Sequence, residues 1–300
     1  MTRSINRFRW FIPFILLLWL LESVQVWGSG AAGWVTRNEN DYYLTKSGKT
    51  VTGRRIIRGK TYCFTRDGKQ YHGWKKIGEN YYCFAQGRKK KGFLILTGRP
   101  NGFRIDKKGR AVLNSEGEKR RMQAMTYVSS LLVSRTESSW SRRKKLKAVF
   151  NYARELPYVY GEQELTAAGC VLKFKKQVDG DCADTNSLMA FAGAVLGWNS
   201  YVVNDFGHWW AVIEGKIYDT NFNSFGLDHA KAAEKGFPYI PKQAISPDSP
   251  AAGKLMMTIH PDHYGYDVNN LTVYDRIDVL NRFDGWVMKF HIGKNLNDCA

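Results

Sequence analysis

A glycine recurs every 20 residues or so through the first third of the chain, and it limits what that third can fold into. Gly33, Gly53, Gly73 and Gly92 fall 20, 20 and 19 apart. Each is followed by a bulky residue: Trp34, Arg54, Trp74 or Phe93. Further into each unit stand Tyr42-Tyr43-Leu44, Tyr62-Cys63-Phe64, Tyr82-Cys83-Phe84 and Phe103-Arg104-Ile105. A polar turn then carries Gly48, Gly68, Gly87 or Gly109. Each of the four units reads as strand, turn, strand. With one aromatic cluster apiece, a unit has too little core to fold alone and buries its apolar side by stacking on neighbours. Residues 33–114 are therefore expected to be a β-hairpin solenoid.

Charge is divided unevenly along the 300 residues. Residues 1–150 carry 32 Lys and Arg against 9 Asp and Glu, and residues 151–300 carry 13 against 18. The total is +18. Such a basic half attracts polyanions such as nucleic acid, anionic membrane or anionic wall polymers. The N-terminus favours export over nucleic acid. Arg3, Arg7 and Arg9 precede an apolar run from Trp10 to Leu21, and a segment rich in small residues follows to Gly33. That is the layout of a secretory signal, and the apolar run is shorter than the roughly 20 residues a standard span needs. Residues 1–32 are read as a signal peptide or an uncleaved signal anchor, with residues 10–26 as the possible membrane tether. The protein is expected to be secreted or held at the cell surface, with no nucleic-acid partner.

The second half carries a cysteine, a histidine and an aspartate in an order that suits thiol chemistry. After Cys182, the residues Leu188, Phe191, Ala192, Val195 and Leu196 form one helical face. Asp181 is a good N-cap, and Asp184 three residues on suggests a capping box. Cys182 would then occupy the first turn, where the helix dipole and unpaired N–H groups favour a thiolate and offer an oxyanion site. His208 opens the strand-like run Trp209 to Ile213. Glu214-Gly215 is a turn signal, and Ile217-Tyr218 resumes a strand closed by Asp219. A two-residue turn places Ile213 opposite Lys216 and Asp219 diagonal to His208 on one face; an odd-length turn separates them. Nucleophile, base and orienter of the base are the roles a thiol acyl transfer needs.

The stretch from Lys147 to Phe222 resembles the transglutaminase-like superfamily of papain-like thiol enzymes. The resemblance rests on Ala148 to Tyr158, Gly180-Asp181-Cys182-Ala183, Gly207-His208-Trp209 and Tyr218-Asp219-Thr220. It implies an α+β fold in which the cysteine helix packs on an antiparallel sheet, with Cys182 as nucleophile, His208 as acid and base, and Asp219 as orienter. The substrate it implies is a protein or peptide amide, and the outcome hydrolysis, deamidation or cross-linking. The hairpin between His208 and Asp219 is short for that family, so a more open site is expected.

The repeats, in turn, resemble the choline- and glucan-binding repeats of bacterial surface proteins. That resemblance implies aromatic cages or platforms for choline on teichoic acid, or for glucan, with Trp34, Tyr42, Trp74 and Tyr82 as ligand contacts. The pattern departs from the family at Arg54, where tryptophan is expected, and at Cys63 and Cys83. The same aromatics could instead pack the solenoid core. Basic runs such as Arg88 to Lys91 offer attachment to anionic wall polymers by charge.

Other segments are read more coarsely. Residues 115–120 read as a linker and 121–300 as the transglutaminase-like domain. Helices are expected near 120–134 and 141–155, a short helix between Gly226 and Gly236, a proline-rich loop from Pro238 to Pro250, and strands at 254–260 and 285–291. Setting Cys182 aside leaves Cys63, Cys83, Cys170 and Cys299, which permit one or two disulfides or none. His260, Asp262 and His263 match no metal-ligand spacing, and no metal or cofactor is implied. The chain is expected to be a monomer. The alternative function is a non-catalytic wall-binding adhesin.

Overall fold

The computed structural model describes residues 32–160, 166–204, 208–228, 231, 277–282 and 285–292. The signal or anchor of residues 1–32, the loop to Pro250, the 254–260 strand, His260, Asp262, His263 and Cys299 fall outside the described residues, residue 32 excepted. The chain is α+β. Short antiparallel hairpins come first, and four helices and a six-stranded antiparallel sheet follow.

The hairpins pair β1 (Gly33–Arg37) with β2 (Asn40–Leu44), β3 (Gly53–Ile57) with β4 (Lys60–Phe64), and β5 (Gly73–Ile77) with β6 (Asn80–Phe84). Two residues close each one. At the first two turns both residues have positive φ, Asn38 with Glu39 and Arg58 with Gly59, which matches the twist of the strands. Main-chain bonds then tie the units together: Gln70 N–H of the second donates to Asp41 O of the first at 2.8 Å, and Leu94 N–H of the fourth to Thr61 O of the second at 2.7 Å. The 20-residue period is thus a stack of hairpins.

The fourth unit departs from the expected pattern. Its turn at Gly109 matches those at Gly48 and Gly68, but residues 93–105 do not pair with one another as a hairpin. Phe93 bridges to Tyr62, Leu94 to Phe84, and Arg110 to Tyr82. Pro100, which has no N–H to give a ladder, opens a 3-10 turn at Pro100–Gly102. The unit spends its strands on its neighbours and closes the stack.

The expected linker is also different. Ser115 caps α1 (Glu116–Arg135), accepting from Glu118 N–H, so residues 116–120 are helical. The acidic residues that made this stretch look like a solvated connector, Glu116 and Glu118, suit the first turn of a helix. α2 (Arg142–Glu155) follows, then α3 (Ala167–Lys173) and α4 (Cys182–Val195). Every residue of α4 is buried. It packs on β7 (Ser200–Asn204) and β8 (Trp209–Ile213), with α1, α2 and α3 around it. The sheet continues through β9 (Lys216–Asp219) and β10 (Ser224–Leu227) on one side, and through β12 (Gly285–Ile292) and β11 (Ile277–Arg282) on the other. Residues 224–227, placed partly in an expected helix, are therefore a strand, pinned by pairing of Phe225 with Tyr218. The 285–291 strand lies where a strand is expected.

The hairpin stack shares its core with the helices. Trp74, fully buried, packs with Phe103 and with residues of α1 and α4 in one cluster. Its main-chain N–H donates to Ser129 Oγ at 2.9 Å and its indole N–H to Asn101 Oδ1 at 2.7 Å. Asn101 in turn donates to Ala194 O at the end of α4 at 2.6 Å. A second seam joins Asn40 and Asp41 to Glu137 and Ser138. Cys63, Cys83 and Cys170 are buried, and none is in a disulfide among the described residues.

Buried ionisable groups sit in this seam. His72 is 4% exposed; its Nδ1 faces Ala85 O at 2.9 Å. Burial, reinforced by the Lys145 ammonium, pushes its pKa from 6.5 down to about 3. Burial likewise lowers Lys145 to about 8. A histidine held neutral makes the folded state refuse a proton that the unfolded chain accepts below pH 6.5. Its effect is absent above that pH and grows as pH falls toward 3. Between pH 6.5 and 5 the parent should lose about 2 kcal/mol more stability than His72→Gln. Urea unfolding at the two pH values checks this, and equal losses would refute it.

Candidate functional site

The start of α4 is built by local chemistry. Asp181 Oδ1 accepts from Ala183 N–H at 2.8 Å and Asp184 N–H at 3.2 Å, and Asp184 Oδ2 accepts from Asp181 N–H at 3.2 Å. The expected capping box is therefore complete. Lys173 of α3 adds an ion pair to Asp184 at 2.8 Å. Gly180 is required here, because a Cβ would stand 2.7 Å from the Asp184 side chain. Cys182 is the first residue of the helix and is 6% exposed. The cap consumes the N–H groups of Ala183 and Asp184; the hydrogen bonds of this turn do not use the Cys182 N–H.

The His208–Asp219 hairpin has the two-residue turn that the even register requires. Ile213 faces Lys216, and Glu214 and Gly215 have φ of 49° and 73°. Gly215 and its neighbour thus form the twisted turn favoured in hairpins. The result is a 2.7 Å contact between His208 Nε2 and Asp219 Oδ2. Asp219 is fully buried, and its Oδ1 accepts from the N–H groups of Asn221 at 3.0 Å and Phe222 at 3.2 Å. Cys182 lies near enough to His208 to favour its charged form. Burial works against the imidazolium, yet the Asp219 carboxylate and Cys182 outweigh it and raise His208 to about 9. The three residues picked from sequence thus come together, two on a hairpin and one on a helix cap.

Three further residues complete the site. Asn186 lies one turn beyond Cys182 on α4 and is fully buried. It donates to Trp209 O at 2.7 Å and accepts from Thr220 N–H at 2.9 Å, which holds the helix to both strands of the hairpin. A polar residue four positions after Cys182 in an apolar helix is the sequence signal that marks it. Phe222 meets the His208 ring edge-on at 5.0 Å and is 47% exposed. Tyr158 bridges in parallel to Gly180, two positions before Cys182. Burial, with the groups at Cys182 and Asp181 nearby, raises its phenol. Tyr158, Val159, Tyr160, Val178 and Phe222 are large exposed hydrophobic residues, and Phe222 touches His208.

Removing Asn186 would take away its bonds to the Trp209 carbonyl and the buried Thr220 N–H, a cost of about 1–3 kcal/mol. Asn186→Ala is expected to lower the unfolding midpoint, and an unchanged midpoint would contradict the role assigned to it.

The repeat aromatics are placed differently from one another. Trp34 is half-buried, with Tyr62, Tyr43 and Phe64 at 5.0, 5.4 and 5.8 Å. Tyr42 is half-buried opposite Val35. Trp74 offers no face to solvent, so it is a core residue of the seam, where a ligand contact was expected. Tyr82 is 8% exposed, and Arg54 lies over its ring at 5.4 Å. Among the described residues no cluster of His, Cys, Asp and Glu could hold a metal. Among them too, no helix is long and apolar enough to cross a membrane.

No family model matches the chain, and no curated protein matches it. Among solved structures it is similar to the choline binding domain of Spr1274 in Streptococcus pneumoniae, at 22% identity and TM-score 0.26, covering 29% of this chain and 100% of that one. It is also similar to choline binding protein F from Streptococcus pneumoniae in the presence of a peptidoglycan analogue, at 24% identity and TM-score 0.25. That match covers 28% of this chain and 27% of the other. A third is the pneumococcal cell wall endolysin from phage Cp-1 complexed with choline, at 23% identity and TM-score 0.20, covering 28% of this chain and 25% of that one.

Proposed function

We propose that this protein is an exported thiol enzyme of the transglutaminase-like type, attached to the cell wall by its repeats and acting on amide bonds. The observation that carries the reading is the buried 2.7 Å His208–Asp219 pair, with Cys182 on a capped helix near enough to favour the imidazolium. In the proposed reaction the Cys182 thiolate attacks the amide carbon beside the His208 imidazolium. The Cys182 N–H supports the oxyanion. The C–N bond breaks as His208 gives its proton to the departing amine, leaving an acyl-enzyme. Water then returns the proton to His208 and releases an acid, or an amine takes the acyl group. Asp219 holds the imidazole through Nε2, which leaves Nδ1 for the sulfur.

The exposed aromatics beside Cys182 suit an extended peptide laid across an open site. Hydrolysis is favoured over cross-linking, because water is always present while the described residues form no distinct acceptor cleft. Incubating the full chain with a peptide mixture, with and without a labelled primary amine, tests the assignment by mass spectrometry. Cleavage or deamidation is expected. An amine adduct would select cross-linking, and no change in any peptide would favour the non-catalytic adhesin.

A further inference from the structure

The second and third hairpins carry their own cations on their aromatic faces. Arg54 lies over Tyr82 at 5.4 Å, Lys75 over Tyr71 at 4.3 Å, and Lys60 over Phe93 at 4.4 Å. Arg54 stands at the position filled by Trp34 and Trp74 in the flanking units. The pairing registers set Arg54 opposite Cys63 in one hairpin and Lys75 opposite Tyr82 in the next. Both charges reach Cys63: burial raises that thiol, while Lys75 and Arg54 oppose the rise. The two cations therefore converge between hairpins. Beyond them β3 is open to solvent, with Arg55 exposed and Ile56 75% exposed, and Arg58 and Lys60 extend the same edge. Among the described residues none of these five cations forms a salt bridge.

Two consequences follow for a ligand. An aromatic face attracts a quaternary ammonium only while it is free of other positive charge, because the same ring quadrupole serves both. Here Tyr71 and Tyr82 are buried and each already carries a cation of the protein over its ring. Conversely, residues 33–114 hold 20 Lys and Arg against 5 Asp and Glu, so unneutralised charge is abundant. Arg54 offers a planar fork that matches phosphate, and Lys75 adds a point charge beside it. The buried, capped rings Tyr71 and Tyr82 are poor platforms for a nucleobase.

We propose that the second and third hairpins bind a linear polyol-phosphate polymer of the cell wall, with Arg54 and Lys75 as the paired phosphate contact. This rests on the proposed wall attachment and names its ligand by charge chemistry, with choline excluded at these hairpins.

The test uses the full chain and a labelled glycerol-phosphate polymer. Binding should weaken steeply between about 50 and 200 mM salt, as phosphate contacts do. Arg54→Gln with Lys75→Gln should weaken it about tenfold and reduce the salt slope by about two. The charge-conserving pair Arg54→Lys with Lys75→Arg should retain most of the binding, which separates charge from folding. Choline chloride should displace no more polymer than sodium chloride at equal ionic strength. The assignment is overturned by preferential displacement with choline, by parent-like binding of the glutamine pair, or by tighter binding of a single-stranded oligonucleotide of matched charge. Sedimentation with purified walls is read separately. Protein that sediments with walls yet ignores the polymer would refute the ligand alone. Protein that binds the polymer but not walls would support the ligand and refute wall attachment.

Discussion

His208→Ala should slow alkylation of Cys182 by iodoacetamide near pH 6 by on the order of 100-fold, because an ordinary thiol with pKa about 8.5 is almost wholly protonated there. An imidazolium beside a sulfur favours the reactive form of a thiol, and the variant removes it. The same variant should lower kcat/KM on amide substrates by about 100- to 10,000-fold, the span of positioned acid–base catalysis. The pH dependence has a definite sign. His208 is raised from 6.5 to about 9, so its proton is present through neutral pH and is lost only as pH passes about 9. Activity that depends on the imidazolium should fall above that point. Asp219→Asn removes the strongest favourable partner, so the alkaline fall should move down toward 6.5. An alkylation rate indifferent to His208, or an alkaline limb that stays near 9 in Asp219→Asn, would remove the basis for the enzyme reading and favour the adhesin.

Trp74→Ala should cost about 3–5 kcal/mol and unfold the helical portion together with the hairpins, as for truncation of other fully buried large aromatics. A hairpin array on a flexible linker would predict the opposite: its loss would leave the helices and sheet untouched. The structure argues for coupling, because the indole lies in the same cluster as Met125, Val128 and Val195, and its N–H reaches the end of α4 through Asn101. One cooperative thermal transition is expected in the parent, shifted down in the variant. Two transitions, with only the lower one moved, would show separable domains. Cys182 alkylation measured below the transition separates lost stability from a damaged site.

Much of the site could be read from local pattern. The Asp181–Asp184 cap depends on residues three apart, and the two-residue turn at Glu214-Gly215 sets the register that aims His208 and Asp219 at each other. Both are short-range decisions made by backbone geometry. Two of the three helices before Cys182, α1 and α2, are readable for the same reason, with apolar residues recurring at helical spacing. Asn186 was harder to read. A polar side chain in the middle of an apolar helix gains its meaning only from the Trp209 and Thr220 backbone groups it meets, and those lie in strands that sequence does not bring near it. Phe222 likewise reads as a loop residue until Asp219 folds the chain back against His208.

The repeat array divides in the same way. Its 20-residue period and its turns are properties of each unit, so the hairpins and the glycines that close them follow from sequence. What each aromatic does is not a property of the unit. Trp34 and Trp74 occupy equivalent positions, yet Trp34 is half-buried among its neighbours while Trp74 is sealed in the core by α1 and α4. Residues 116–120 looked like a connector because they are polar, and became a helix start because Ser115 caps them. Sequence alone determined the hairpin period, the two helices α1 and α2 and the cap of α4, and it singled out Cys182, His208 and Asp219 as candidates, since periodicity, caps and turns act over a few residues. The tertiary structure decided which aromatics remain exposed, where cations cover them, and how the hairpins lock onto the helices. Those outcomes depend on contacts between residues far apart in the chain, whose burial is settled only when the layers meet.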